Sequence, residues 1–260
     1  MHQYQHLQAI LNGSAPLAVA FSGGVDSTLL LKVAHDTLGT NCIAITIDAP
    51  YHFRQELEEA HCFTQQHAVA HLIIPFDPIP IPNLLNNPDN RCYLCKLALL
   101  KACHAGLPPG PWTLVDGSTV DDQTAHRPGS RALAELGVRS PLAEAGFTKQ
   151  DIRLLSKQLG LTTWDKPAQS CLLTRFPHQT LITRERLQQV EWTETEIKKL
   201  GFRLVRVRSI GTAARLELEK GELAQAMLPT MLAQLETIAK KAGFSEMTID
   251  PAGYCSGSMD

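Results

Sequence analysis

The chain has 260 residues, 44% of them hydrophobic and 19% charged, with 24 Lys and Arg against 26 Asp and Glu for a net charge of −2. That length and apolar content exclude an extended disordered chain and allow a core without disulfide staples, while the charge balance excludes a bulk basic field for non-specific nucleic-acid binding. No apolar run approaches the roughly 18 residues of a membrane span, and the first residues lack the basic-then-apolar pattern of a secretory leader.

Seven cysteines stand at Cys42, Cys62, Cys92, Cys95, Cys103, Cys171 and Cys255. An odd, scattered set in a leaderless chain reads as thiols, ligands or nucleophiles of a cytoplasmic protein rather than as a disulfide framework.

In chain order, Leu17–Phe21 is a continuous apolar run ended by Ser22-Gly23-Gly24, and Asp26–Asp36 carries Leu29, Leu30, Val33 and Ala34 at helical spacing. Cys42–Ile47 reads as a second strand, Phe53–Gln66 as a helix, His71–Pro75 as a third strand and Trp112–Val115 as a fourth. Asp77–Pro88, with four prolines, is a loop. Strands alternating with crossover helices predict an α/β fold with a doubly wound, mostly parallel sheet.

A helix over Thr148–Leu159 ends before Asp165-Lys166-Pro167, and the pattern then changes. Thr183–Leu200 is a predicted helix, Arg203–Arg208 and Ala214–Glu219 alternate with period two, and a helix over Glu222–Ala239 and a strand over Met247–Asp250 follow. This predicts a nucleotide domain over residues 1–165 and a smaller α+β domain over 166–260.

Ser22-Gly23-Gly24-Val25-Asp26-Ser27 lies between a buried strand and a helix start. Glycines there let backbone N–H groups converge on an anion, and the helix N-terminus adds its partial positive charge. Asp26 would repel a bare phosphate, so it fits as a helix cap or with Mg²⁺ between it and the phosphates. The loop lacks the Gly-Lys-Ser/Thr ending of a kinase-type phosphate loop and resembles that of enzymes splitting ATP into AMP and pyrophosphate. Asp116-Gly117-Ser118-Thr119-Val120-Asp121-Asp122 follows the fourth strand, at the sheet edge where such folds bind ligand. Asp48 closes the second strand, and Arg127 and Arg131 could reach the α-phosphate.

Cys171 lies in the irregular segment Lys166-Pro167-Ala168-Gln169-Ser170-Cys171-Leu172-Leu173-Thr174-Arg175. Nearby cations would raise its thiolate fraction, as attack on an adenylate requires, but a small buried core residue reads equally well. If the two alternating runs pair as a hairpin about Ser209–Thr212, Arg206, Arg208, Arg215 and Glu217 share one face. Guanidinium groups suit carboxylate and phosphate, although a solvated ion-paired face gives the same pattern.

SGGVDS, LVDGSTVDD, KPAQSCLLTRFP, VRVRSIGTAARLEL and GYCSGSMD together resemble the LarE family over nearly the whole chain. These are ATP-dependent sulfur transferases that build the nickel-pincer nucleotide of lactate racemase. The resemblance implies nucleotide contacts at Ala20, Phe21, Ser22, Gly23, Gly24, Val25, Asp26, Ser27, Ile47, Asp48, Gly117, Asp121, Asp122 and Arg127, with Mg²⁺ at Asp26. It implies pyridinium-3,5-dicarboxylate mononucleotide as substrate, with Thr174, Arg175, Arg206, Arg208, Arg215 and Glu217 as its binding residues. One ring carboxylate would be adenylated and then form a thioester with Cys171. Elimination would leave dehydroalanine on the protein and a thiocarboxylate on the product. A homo-oligomer, with neither membrane nor nucleic-acid partners, is the associated expectation.

Cys92-Tyr93-Leu94-Cys95 opens a second route. Two cysteines three apart on a first helical turn suit a metal, a disulfide or persulfide exchange, and with Cys171 they could hold a [4Fe–4S] cluster for non-sacrificial transfer. Cys255, where the family frequently has arginine, could pair with Cys171. Thiolation of tRNA, ammonia-dependent ligation and a regulator with a degenerate loop are the remaining alternatives. The absence of a basic extension weighs against the first, and the Cys171 segment has no role in the second.

Overall fold

A computed structural model describes residues 2–124 and 129–255, and the chain divides into two compact units, Met1–Ile81 with Asn90–Gln169 and Pro82–Asp89 with Ser170–Asp260. The first unit opens with α1 (His2–Asn12), where Leu7 and Leu11, one turn apart, are fully buried. Sequence reading assigned no element there. β1 (Leu17–Ala20), α2 (Val25–Leu38), β2 (Cys42–Asp48), α3 (Arg54–Gln66) and β3 (Ala70–Pro75) follow at or within two residues of the expected positions. After α4 (Arg91–Gly106) and β4 (Thr113–Val115) come the short helices α5 (Val120–Thr124), α6 (Ser130–Glu135) and α7 (Pro141–Glu144), then α8 (Lys149–Gln158). Thr148 starts α8 with a reciprocal capping box to Asp151.

The four strands form an all-parallel sheet in the order β3-β2-β1-β4. β1 has strands on both sides, so its apolar run is buried, whereas edge strand β3 has exposed and half-buried residues and no buried one. Leu29, Leu30 and Val33 of α2 are fully buried in one apolar cluster with Leu7, Leu11, Val19, Phe147 and Ile152. Each such side chain contributes about 1.5–3 kcal/mol of burial. From β1 the chain winds outward to β2 and β3, then returns to the other side as β4. The C-terminal ends of β1 and β4 therefore flank the crevice where doubly wound sheets take their ligands.

The second unit contains a one-turn 3₁₀ helix at Leu172–Arg175, α9 (Arg184–Lys199), β5 (Val205–Ile210), β6 (Ala213–Leu218), α10 (Leu223–Ala226), α11 (Pro229–Lys241) and β7 (Glu246–Ile249). β5 and β6 pair antiparallel and β6 and β7 parallel, in the order β5-β6-β7. The single helix expected over Glu222–Ala239 is two, because Pro229 lacks an N–H and takes the first position of α11. Pro82–Asp89 also belongs to this unit. Asn87 is fully buried and donates to the carbonyls of Phe176 (2.9 Å) and Pro177 (2.7 Å). Among the described residues no helix is long and apolar enough to cross a membrane.

Candidate active site

The segment Ser22–Ser27 joins β1 directly to α2, with Gly24 as the helix N-cap. Gly23 adopts φ +71°, a left-handed conformation that glycine takes at no steric cost. Ser27 Oγ accepts from Ser22 N (3.3 Å), lies 3.1 Å from Ser22 Oγ and donates to Gly24 O (3.3 Å). The two serines thus close the loop on itself. Val25 is buried, and Asp26 is half-buried in the first turn of α2.

Behind the loop, Thr46 Oγ1 donates to Phe21 O at 2.7 Å and lies 2.7 Å from His71 Nε2. The other ring nitrogen, His71 Nδ1, lies 2.9 Å from Thr64 Oγ1. Burial, and secondarily the charge of His61, lower the His71 pKa to about 4, so the ring is neutral near pH 7. Edge strand β3 thereby steadies the residue that precedes Ser22, an arrangement that no motif signals.

Gly117 follows β4 and lies against the start of α2. A Cβ there would stand 3.0 Å from Ser27 N and 3.1 Å from Ser27 Cα, so only glycine permits this approach. Asp116 beside it is buried and accepts from Lys96 Nζ (3.0 Å), Ser118 Oγ (2.7 Å) and Ser140 Oγ (2.6 Å). The acidic pair one turn on has protein partners. Asp122 accepts from Thr119 N (3.0 Å) and Oγ1 (3.1 Å) and lies 3.2 Å from Lys149 Nζ; Asp121 accepts from Lys149 N at 2.6 Å. These carboxylates also tie α5 to the start of α8.

Asp48, at the end of β2, pairs with Arg54, and Ile47 accepts from His52 Nδ1 through its carbonyl at 3.0 Å, with His52 as the donor in that tautomer. Ala20 ends β1 half-buried. Arg131 is exposed and pairs with Glu135 (2.8 Å), while Arg127 lies outside the described residues.

In the second unit, Cys171 is half-exposed and caps the 3₁₀ turn, and its carbonyl accepts from Thr174 N (3.1 Å) and Thr174 Oγ1 (2.8 Å). Arg175 is fully buried. It donates to both Glu194 oxygens (2.6 and 3.2 Å), to Ser170 Oγ (2.7 Å) and to Thr174 Oγ1 (2.7 Å). Its guanidinium builds the turn that carries Cys171. Glu194 of α9, which sequence reading missed, is also fully buried and accepts from Val207 N at 2.8 Å.

The hairpin register places Arg206 opposite Glu217 and Arg208 opposite Arg215, with the turn tightened to Gly211-Thr212. The face is no solvated surface, since Arg206, Arg208 and Glu217 are buried and Arg215 is half-buried. Arg208 donates to Glu217 (2.7 Å) and to Thr174 O (2.8 Å); Arg215 lies 3.8 Å from Glu217 and 3.6 Å from Asp250. Arg206 donates to Val205 O (2.9 Å) and sits over the Tyr254 ring. Burial first, then the Arg175 charge, lower its pKa to about 10, against the opposing pull of Glu194 and Tyr254.

No protein-family model matches the chain. It is 42% identical to an uncharacterised protein of Synechocystis over 93% of this chain and 91% of that protein. It is 33% identical to the pyridinium-3,5-bisthiocarboxylic acid mononucleotide synthase of Lactiplantibacillus plantarum over 98% of this chain and 92% of the synthase. The chain belongs to the LarE family. An uncharacterised protein of Methanocaldococcus jannaschii is 30% identical over 92% of this chain. LarE proteins are sulfur transferases of nickel-pincer cofactor synthesis, and at that level the activity extends to this chain.

Cys92 and Cys95 open α4 as expected, but their sulfurs are in unlike surroundings. Cys92 is exposed, whereas Cys95 is buried with its sulfur 3.2 Å from Tyr51 Oη. Among the described residues no three His, Cys, Asp or Glu side chains gather into a metal-binding set. Cys171, the third ligand considered from sequence, belongs to the second unit, whereas Cys92 and Cys95 belong to the first. Cys171 and Cys255 are both free thiols, so the pairing considered from sequence is not formed. Burial pushes the thiols of Cys42 and Cys103 up to about 12. A maleimide at pH 7 is expected to label exposed Cys62, Cys92 and Cys255 while sparing Cys42 and Cys103 until the protein is denatured, as read by peptide mass spectrometry.

Proposed function

We propose that this LarE-family chain adenylates a carboxylate of pyridinium-3,5-dicarboxylate mononucleotide with ATP and converts it to a thiocarboxylate using the sulfur of Cys171. The observation that carries this reading is the buried arginine cluster built around a half-exposed cysteine. Arg208 and Arg175 fasten the turn that presents Cys171, and Arg206 is a buried cation whose charged form its surroundings disfavour. An anion arriving beside Arg206 would offset that penalty, and the proposed substrate carries carboxylates and a phosphate.

The loop Ser22–Ser27 suits ATP phosphates, because Gly23 takes the left-handed turn that leads into α2 and the backbone N–H groups at the start of that helix would donate to an anion. Asp26 would hold Mg²⁺, which neutralises phosphate charge when bound. In the first step a substrate carboxylate oxygen attacks the α-phosphorus, forming an acyl adenylate and releasing pyrophosphate. The Cys171 thiolate then adds to the acyl carbon, and AMP leaves with the bonding pair. Loss of the Cα proton of Cys171 and cleavage of its Cβ–S bond leave dehydroalanine in the chain, with the sulfur and its electron pair on the product.

The test is anaerobic incubation of the full-length protein with ATP, Mg²⁺ and the dicarboxylate nucleotide, followed by peptide mass spectrometry. Loss of one H₂S from the peptide containing Cys171 is expected. Thiolated product with that peptide unchanged would overturn the sacrificial step in favour of external sulfur. Absence of product would overturn the substrate assignment.

A further inference from the structure

Lys166 is near Cys171 in sequence, yet its ammonium is directed elsewhere. Nζ donates to Gly23 O at 3.1 Å and to Glu59 Oε2 at 2.7 Å, with Glu56 Oε1 3.9 Å away. This carbonyl belongs to the Gly23–Gly24 peptide of the phosphate loop. In a trans peptide the C=O and the following N–H point in opposite directions. Fixing the Gly23 carbonyl on the Lys166 side therefore turns the Gly24 N–H toward the side where the Ser22 and Ser27 hydroxyls gather. The hydrogen-bonding pattern agrees, since Gly24 N donates to Ser22 Oγ, at a long 3.4 Å that leaves it ready for a stronger acceptor.

A Gly–Gly peptide has no Cβ to resist rotation, and Gly23 already sits at φ +71°. Within the loop it is held by the long Gly24 N–Ser22 Oγ bond, and from outside by the shorter contact of Lys166 on Gly23 O. We propose that Lys166 is a positioning residue for phosphate binding, holding the Gly23–Gly24 peptide so that the Gly24 N–H donates to a phosphate oxygen. The cation also polarises that peptide, strengthening the N–H as a donor. Glu59, at 2.7 Å, and Glu56, at 3.9 Å, hold the ammonium in place. This inference rests on reading Ser22–Ser27 as the ATP site and assigns the device that sets its geometry.

The test is calorimetric titration of the full-length protein with magnesium pyrophosphate, beside thermal melting. Lys166→Met is expected to weaken binding about tenfold, the loss of one good hydrogen bond, and Lys166→Arg to recover most of it. Glu59→Gln separates positioning from a structural ion pair, because it leaves the ammonium free to hold Gly23 O. It should bind pyrophosphate within about twofold of wild type. Equal weakening in Lys166→Met and Glu59→Gln would overturn the inference, as would wild-type affinity in Lys166→Met. Should Lys166→Met fail to fold, the Lys166→Arg and Glu59→Gln affinities decide by the same criteria. A wild-type protein that binds no pyrophosphate would defeat the ATP-site reading and this inference together, an outcome distinct from the others.

Discussion

Replacing Cys171 by alanine is expected to leave ATP–pyrophosphate exchange intact and to cut thiocarboxylate formation more than about 10³-fold, the scale of removing a reacting group. The change is confined to the sulfur. The Cys171 carbonyl accepts the hydrogen bonds from Thr174 that shape the turn, and buried Leu172, Leu173 and Phe176 anchor the segment. Alanine keeps that carbonyl and fills a half-exposed position, so Arg175, Thr174 and Arg208 retain their contacts. The loop Ser22–Ser27 belongs to the other unit and is untouched. Exchange of labelled pyrophosphate into ATP, measured with the dicarboxylate nucleotide present, follows the first step alone; product mass spectrometry follows sulfur. Undiminished sulfur product from Cys171→Ala would remove this cysteine from the chemistry. Loss of exchange along with product would mean that the thiol helps adenylation and does not merely follow it.

Cys171 was legible as a nucleophile candidate, but its setting was not. Proximity in sequence suggested Lys166 and Arg175 as the cations that activate the thiol; the fold directs Lys166 to Gly23 and Glu59, and Arg175 to Glu194. Sequence spacing specifies which residues share a face and nothing about what covers it. Period-two alternation therefore placed Arg206, Arg208, Arg215 and Glu217 together correctly, and the observed register agrees. It could not reveal that both faces of β5 are buried, with Val205 and Val207 as enclosed as the arginines.

Strand–SGGVDS–helix was readable because local steric rules demand glycine and a helix start there. The close approach of Gly117 and the reach of His71 through Thr46 come from β-strand order, which a single sequence does not specify residue by residue. Asp77–Pro88 reads as a loop because four prolines crowd that stretch, and Pro82–Asp89 overlaps its second half. Its place in the second unit depends on Asn87, a polar side chain whose buried partners lie about ninety residues away.

Glu194 is where stability and site geometry meet, and Glu194→Ala is expected to destabilise the second unit by about 3–5 kcal/mol. The carboxylate and Arg175 are both fully buried, so the Arg175 charge loses its counter-charge with no water to replace it. The Val207 N–H loses its acceptor as well, an added cost of about 1–3 kcal/mol if nothing compensates. The thermal transition of the unit should fall by on the order of 10 °C. Glu194→Gln keeps an acceptor but not the charge, and should fall between wild type and alanine.

Pairing Glu194→Leu with Arg175→Met separates the contributions. Removing both charges abolishes the desolvation penalty, and buried ion pairs exchanged for apolar side chains are often neutral or better. The double variant should recover most of the loss except the part owed to Val207. It should still transfer no sulfur, because Ser170 and Thr174 lose the guanidinium that holds the Cys171 turn. Recovered stability with restored activity would show that the turn holds without Arg175. A melting point for Glu194→Ala within about 2 °C of wild type would contradict a buried, mutually dependent pair.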